Sequence, residues 1–140
     1  MGIKYFFGII TGLAFASGLF SCQKEDLHQS ENALTGTWVY DTYLIDSDFE
    51  VYKAEKELDP DKPGMIFEPG GKFIIRSIYG WCGTPPVTYE NYKGTWETIS
   101  DSTILIRYEW WGTASGQADL ERTFKIVKAD DQALWIQYIL

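Results

Sequence analysis

The sequence predicts an all-β protein: an up-and-down antiparallel barrel of eight strands, without a C-terminal helix, built from residues 34–140. Three observations predict it. Short runs rich in aromatic and β-branched residues recur along the chain and alternate with period two. Clusters of Gly, Pro, Asp and Ser separate them at positions suited to tight turns. No ten-residue stretch of the body keeps one apolar stripe at helical spacing. Consecutive short strands must each bury one face, and closing the sheet removes its exposed edges.

The first strand is expected at 37–45, where Trp38, Tyr40, Thr42 and Leu44 alternate with Val39, Asp41, Tyr43 and Ile45. Further runs are 65–67, 73–79, 87–92, 95–99, 103–110, 120–127 and 134–139. Turn chemistry falls at 68–71, 82–86, 100–102, 112–116 and 130–132. Two readings of Lys93 and Gly94 stay open: a tight hairpin, or a bend inside one long strand, since Gly within a strand often marks a kink. In the second case 49–53 supplies the missing strand. The rest of 46–63 reads as a long acidic connection, with a helical turn as one option at 54–58.

Ahead of the body, Lys4 precedes an uncharged run over 5–19, followed by Leu19, Phe20, Ser21 and Cys22. The run is short for a membrane span of about 20 apolar residues, and Gly8, Gly12 and Gly18 weaken it as a lasting helix. A cleaved export signal over 1–21 is expected. Its last four residues resemble a bacterial lipobox, which implies lipidation of Cys22; Phe20 stands where small residues are commoner, and the alternative is a plain secretory signal cut nearby. Each buried acyl methylene contributes about 0.8 kcal/mol, so two or three chains anchor a protein stably. Residues 22–33 read as a polar, flexible tether holding the sole His, His28. Gln23, Lys24, Glu25 and Asp26 are similar to the signal that sends lipoproteins of Bacteroidota to the cell surface. The expected location is the outer membrane, surface-exposed, with the periplasmic face or a mere solvated spacer as alternatives.

Within the body, Leu34-Thr35-Gly36-Thr37-Trp38, the segment Phe67 to Phe73 and Gly94-Thr95-Trp96 resemble the lipocalin-like lipoproteins of Bacteroidota over nearly all of 34–140. The resemblance implies a barrel whose floor is plugged by Trp38 and Trp96. It also implies an Arg packed across that floor. Arg122 matches by type but one strand early; the alternative is a solvated side chain at a barrel end. Avidins share the opening Gly-Thr-Trp, but their biotin-binding Asn is replaced by Tyr40, so biotin is not expected.

Charge narrows the chemistry. The formal net charge is −8 with a pI near 4.5, and removing 1–21 takes one Lys and no acid. Nucleic acid and anionic headgroups are therefore poor partners. With His28 on the tether, a Ser-His-acid triad in the body is excluded, while a glycosidase-type carboxylate pair is the residual enzymatic option. Asp46, Asp48, Glu50 and Glu57 follow a calcium-loop spacing, yet Val51 stands where Gly is needed, so an acidic loop without metal is expected. Cys82 has no partner once Cys22 carries lipid, which leaves a thiol or an intermolecular bridge.

No cofactor and no catalysis are expected. After residue 21 the chain holds 18 aromatic residues, and 14 of them are Tyr or Trp, which suit wet cavities and interfaces. Two binding expectations follow. One is a small hydrophobic ligand inside the barrel, among Trp38, Tyr40, Phe73, Ile75, Trp96, Tyr108, Arg122 and Phe124. The other is a glycan or protein bound on a surface platform of Trp81, Trp110 and Trp111. Trp110 and Trp111 point to opposite faces of one strand, so at least one faces outward.

Overall fold

The computed structural model describes residues 31–79, 87–113 and 116–139. Cys22, His28, Trp81 and Cys82 lie outside the described residues. One helical turn, α1 (Glu31–Leu34), leads into β1 (Gly36–Leu44), β2 (Phe49–Glu55), β3 (Gly64–Glu68), β4 (Lys72–Ile78), β5 (Tyr89–Ser100), β6 (Thr103–Thr113), β7 (Gly116–Ala129) and β8 (Ala133–Ile139). These eight strands close into a barrel in the order β1-β2-β8-β7-β6-β5-β4-β3, each antiparallel to both neighbours.

The bend reading of Gly94 is the one realised. The runs expected at 87–92 and 95–99 join in a single strand, β5, which begins at Tyr89, and 49–55 supplies the remaining strand as β2. Gly is required at 94 by space: a Cβ there would stand 2.0 Å from the Arg107 carbonyl oxygen and 2.8 Å from Tyr108 Cβ. The option of a helical turn at 54–58 is not realised, because Ala54 and Glu55 extend β2 against Trp38 and Thr37. Nor do Asp46, Asp48, Glu50 and Glu57 share a loop, since β2 begins at Phe49.

β3 to β8 follow one another around the wall, while β1 sits between β2 and β3. The connection 56–63 therefore crosses the outside of β1 before entering β3. Val39 points outward yet is only 5% exposed, because Leu58 and Pro63 lie over this part of β1: Tyr40 N–H donates to the Pro63 carbonyl at 3.0 Å, and a Cβ on Gly64 would meet Leu58 Cδ2 at 2.6 Å. Arg76 on β4 fixes the crossing from the far side, donating through Nη1 to the Asp59 carbonyl at 2.8 Å and through Nε to Asn91 Oδ1 at 2.8 Å.

The two ends of the barrel differ. At the end carrying α1 and the β3–β4, β5–β6 and β7–β8 turns, the interior is filled by Leu34, Trp38, Phe67, Trp96, Ile104 and Leu134, all in the buried core. Trp38 Nε1 donates to the Leu34 carbonyl at 2.8 Å and Trp96 Nε1 to the Glu68 carbonyl at 3.0 Å, so both indoles are satisfied inside. Phe67 meets Phe73 at 5.0 Å and Trp96 at 5.4 Å between ring centroids, the latter edge-on. Small eight-stranded barrels have just enough interior for side chains to fill, and this half is filled.

Candidate binding site at the open end

β3 has only five residues, and this shortness opens the other end. Its first residue, Gly64, pairs with Val39 on β1 and Arg76 on β4. β1 runs on to Leu44 and β4 to Ile78 with no β3 residue between them. The gap in the wall leads to a cleft of about 310 Å³ lined by Tyr40, Glu50, Tyr52, Ile75, Ser77 and Tyr138, with Met65 and, at its mouth, Arg76 among its walls.

Each side chain reaches the cleft through strand alternation. On β2, Tyr52 pairs with Leu134 and Glu50 with Ile136, and those β8 residues are buried in the core, so Glu50 and Tyr52 face the same interior. Tyr138 follows Ile136 on the inward face of β8, opposite Phe124. Tyr40 and Tyr52 meet edge to face, 5.7 Å apart with planes at 84°. The Tyr52 hydroxyl donates to Glu50 Oε2 at 2.6 Å. Beside them Arg122 Cζ lies 5.7 Å from the Tyr138 ring centroid.

The hydroxyls here are neutral hydrogen-bonding groups. Burial pushes the Tyr52 phenol well above its ordinary range, reinforced by Tyr138 and by the Glu50 carboxylate. Burial and Glu50 also raise Tyr138, which Arg122 partly offsets, and burial raises Tyr108 against the opposing pull of Arg122. Tyr92 on β5, paired with Ile75 of β4, is 4% exposed, and its hydroxyl has no hydrogen-bond partner among the described residues. Such a buried polar atom is costly unless water or a ligand meets it. Among the described residues no group of three His, Cys, Asp or Glu side chains is placed to hold a metal ion.

The cavity residues expected from sequence divide between the two ends. Trp38, Phe73, Trp96, Tyr108 and Phe124 are packed in the core, Tyr40 and Ile75 line the cleft, and Arg122 lies over Tyr138 at its edge. Arg122 does not cross the floor indoles; it is exposed and lies over Tyr138, because on β7 it stands nearer the open end than the buried Phe124 and Ile126. Of the expected platform, Trp110 is packed against the core with Nε1 3.4 Å from the Ile78 carbonyl oxygen, whereas Trp111 is 55% exposed. Sequence reasoning missed Glu50, Tyr52 and Tyr138 as neighbours. The alternation of Glu50 and Tyr52 in 49–53 was the available signal; their meeting with Tyr138 depends on β2 pairing with β8. No protein-family model, curated protein or solved structure matches the chain.

Proposed function

We propose that this protein is a binding module that takes a small molecule at the open end of its barrel, carried on a lipid anchor at Cys22 in the cell envelope. The observation that supports the binding reading is the contrast between the two ends: a filled closed half, and a cleft of about 310 Å³ beneath the gap left by β3. Pockets for drug-sized ligands run from about 300 to 1,000 Å³, so the guest is small. Neutral tyrosine hydroxyls, Ser77 and Glu50 around Ile75 and Met65 suit a molecule with both polar and apolar parts. Binding without turnover is the reading these residues favour, since raised phenols are hydrogen-bond donors and not nucleophiles.

Native mass spectrometry of protein purified from its own cells tests this. The folded chain should carry a small-molecule adduct. Ile75→Trp, which fills the cleft without touching the floor, should lose the adduct while keeping its denaturation midpoint. An adduct retained by Ile75→Trp contradicts the assignment. For the anchor, Cys22→Ser should release the protein from the membrane fraction, and equal membrane retention of both forms would remove that part of the proposal.

A second reading, a glycan or protein partner, is favoured by one observation. Among the described residues, six of the eight exposed large apolar ones, Tyr43, Ile45, Tyr79, Val87, Trp111 and Ile139, lie at strand ends or turns of the open end. Loss of partner capture in Trp111→Ala with the adduct unchanged would support it.

A further inference from the structure

We infer that the cleft selects a small organic cation, an ammonium or methylated ammonium group held between the Glu50 carboxylate and the ring faces of Tyr40, Tyr52 and Tyr138. This rests on the open-end binding reading and names the ligand class for it. The first support is a carboxylate without a cationic partner. Glu50 is partly buried on the inward side of β2, and no Lys or Arg of the described residues lies within 4.0 Å of its carboxylate. Its Oε2 accepts the Tyr52 hydroxyl. A partly desolvated carboxylate among aromatic rings is unfavourable until a cation or water meets it.

The second support is the shape of the surroundings. Tyr40 and Tyr52 stand almost perpendicular, so they form a corner, and Tyr138 lines the same cleft. Ring faces carry negative charge density, and aromatic corners beside a carboxylate hold ammonium groups by cation–π attraction. The Tyr138 ring already attracts one cation, Arg122, from the exposed side.

Two arginines border this region, and neither is paired with Glu50. Arg76 lines the mouth of the cleft, but its Nε and Nη1 are engaged by Asn91 and the 58–59 carbonyls, and it lies beyond 4.0 Å from the Glu50 carboxylate. Arg122 stays on the open rim over Tyr138. An anion in the cleft would face Glu50 directly, and a neutral apolar guest would desolvate the carboxylate with nothing in return. The net charge of −8 adds a field that draws cations towards the molecule.

Isothermal titration of the full chain with choline tests the inference. The controls are its neutral isostere, with a quaternary carbon in place of nitrogen, and pivalate, an anion of similar bulk. Choline should bind at least about ten-fold more tightly than either, a difference of about 1.4 kcal/mol. Glu50→Gln should weaken choline about ten-fold and leave the isostere unchanged, while Glu50→Asp, which keeps the charge, should retain the preference even if Glu50→Gln folds poorly. Ile75→Trp should abolish binding. If the isostere or pivalate binds as tightly as choline and Ile75→Trp removes that binding, the cation assignment falls while the open-end reading stands. If no choline binding is detected, or if Ile75→Trp leaves it intact, the cation assignment is overturned as well.

Discussion

Replacing Trp38 or Trp96 by Ala tests the closed end most severely. The two indoles are 3% and 5% exposed, and a buried Trp removes up to about 250 Å² from water. At about 25 cal/mol per Å² this amounts to about 6 kcal/mol, and the compactness of real unfolded chains lowers it to roughly 4–5 kcal/mol. That agrees with the roughly 3–5 kcal/mol typical of large-to-small core truncations. Each truncation also leaves a carbonyl, Leu34 or Glu68, without its indole donor. For a domain with about 5–15 kcal/mol of stability, either variant is close to unfolding. Trp111, 55% exposed, should lose only about 0.5 kcal/mol. Urea denaturation followed by circular dichroism measures this: with a slope of about 2 kcal/mol per M, the midpoints of Trp38→Ala and Trp96→Ala should fall by about 2 M. Equal, small shifts for all three would refute the closed-floor assignment and the strand register on which it rests.

Gly94→Ala should destabilise the barrel by about 3 kcal/mol, because its Cβ meets backbone and not a movable side-chain tip; a wild-type denaturation midpoint would contradict the bend. Tyr52, Tyr108 and Tyr138 should ionise above an exposed tyrosine in an ultraviolet pH titration. Their phenols bind protons more tightly when folded, so their contribution is full below the unfolded value of about 10 and is lost as pH rises beyond it. Asp130, held down to about 2 by Lys128 and by the Gln132 and Ala133 amides, acts in the opposite sense. It stabilises the β7–β8 turn above the unfolded value of about 4 and should lose that effect as pH falls from about 4 to about 2, which carboxyl-carbon NMR would follow.

How far sequence foretells this molecule depends on the range of the interaction. Alternation at Trp38 and Tyr40, and turn residues such as Pro69 and Gly70, are local signals and lead directly to strands and hairpins. Gly94 was legible only as a choice, since its reason is the approach of Arg107 and Tyr108 from the next strand. The seat of β1 between β2 and β3 left no local trace; it depends on Leu58 and Arg76 securing a crossing of chain. For the same reason the cleft was half visible. Tyr40 and Ile75 follow from their inward faces, while Glu50, Tyr52 and Tyr138 meet only because β2 closes the barrel against β8. Arg122 was placed on the correct face, but its register against β6 decides which end of the barrel it reaches.

The most direct test of a filled floor and a binding mouth is an amide NMR titration of the folded chain with a panel of small fragments that includes choline. Saturable shifts should gather at Tyr40, Glu50, Ile75, Ser77 and Tyr138, with Trp38, Trp96 and Phe124 unmoved. Shifts centred on Trp38, Trp96 and Phe124, or absent from the open end for every fragment, would contradict the account.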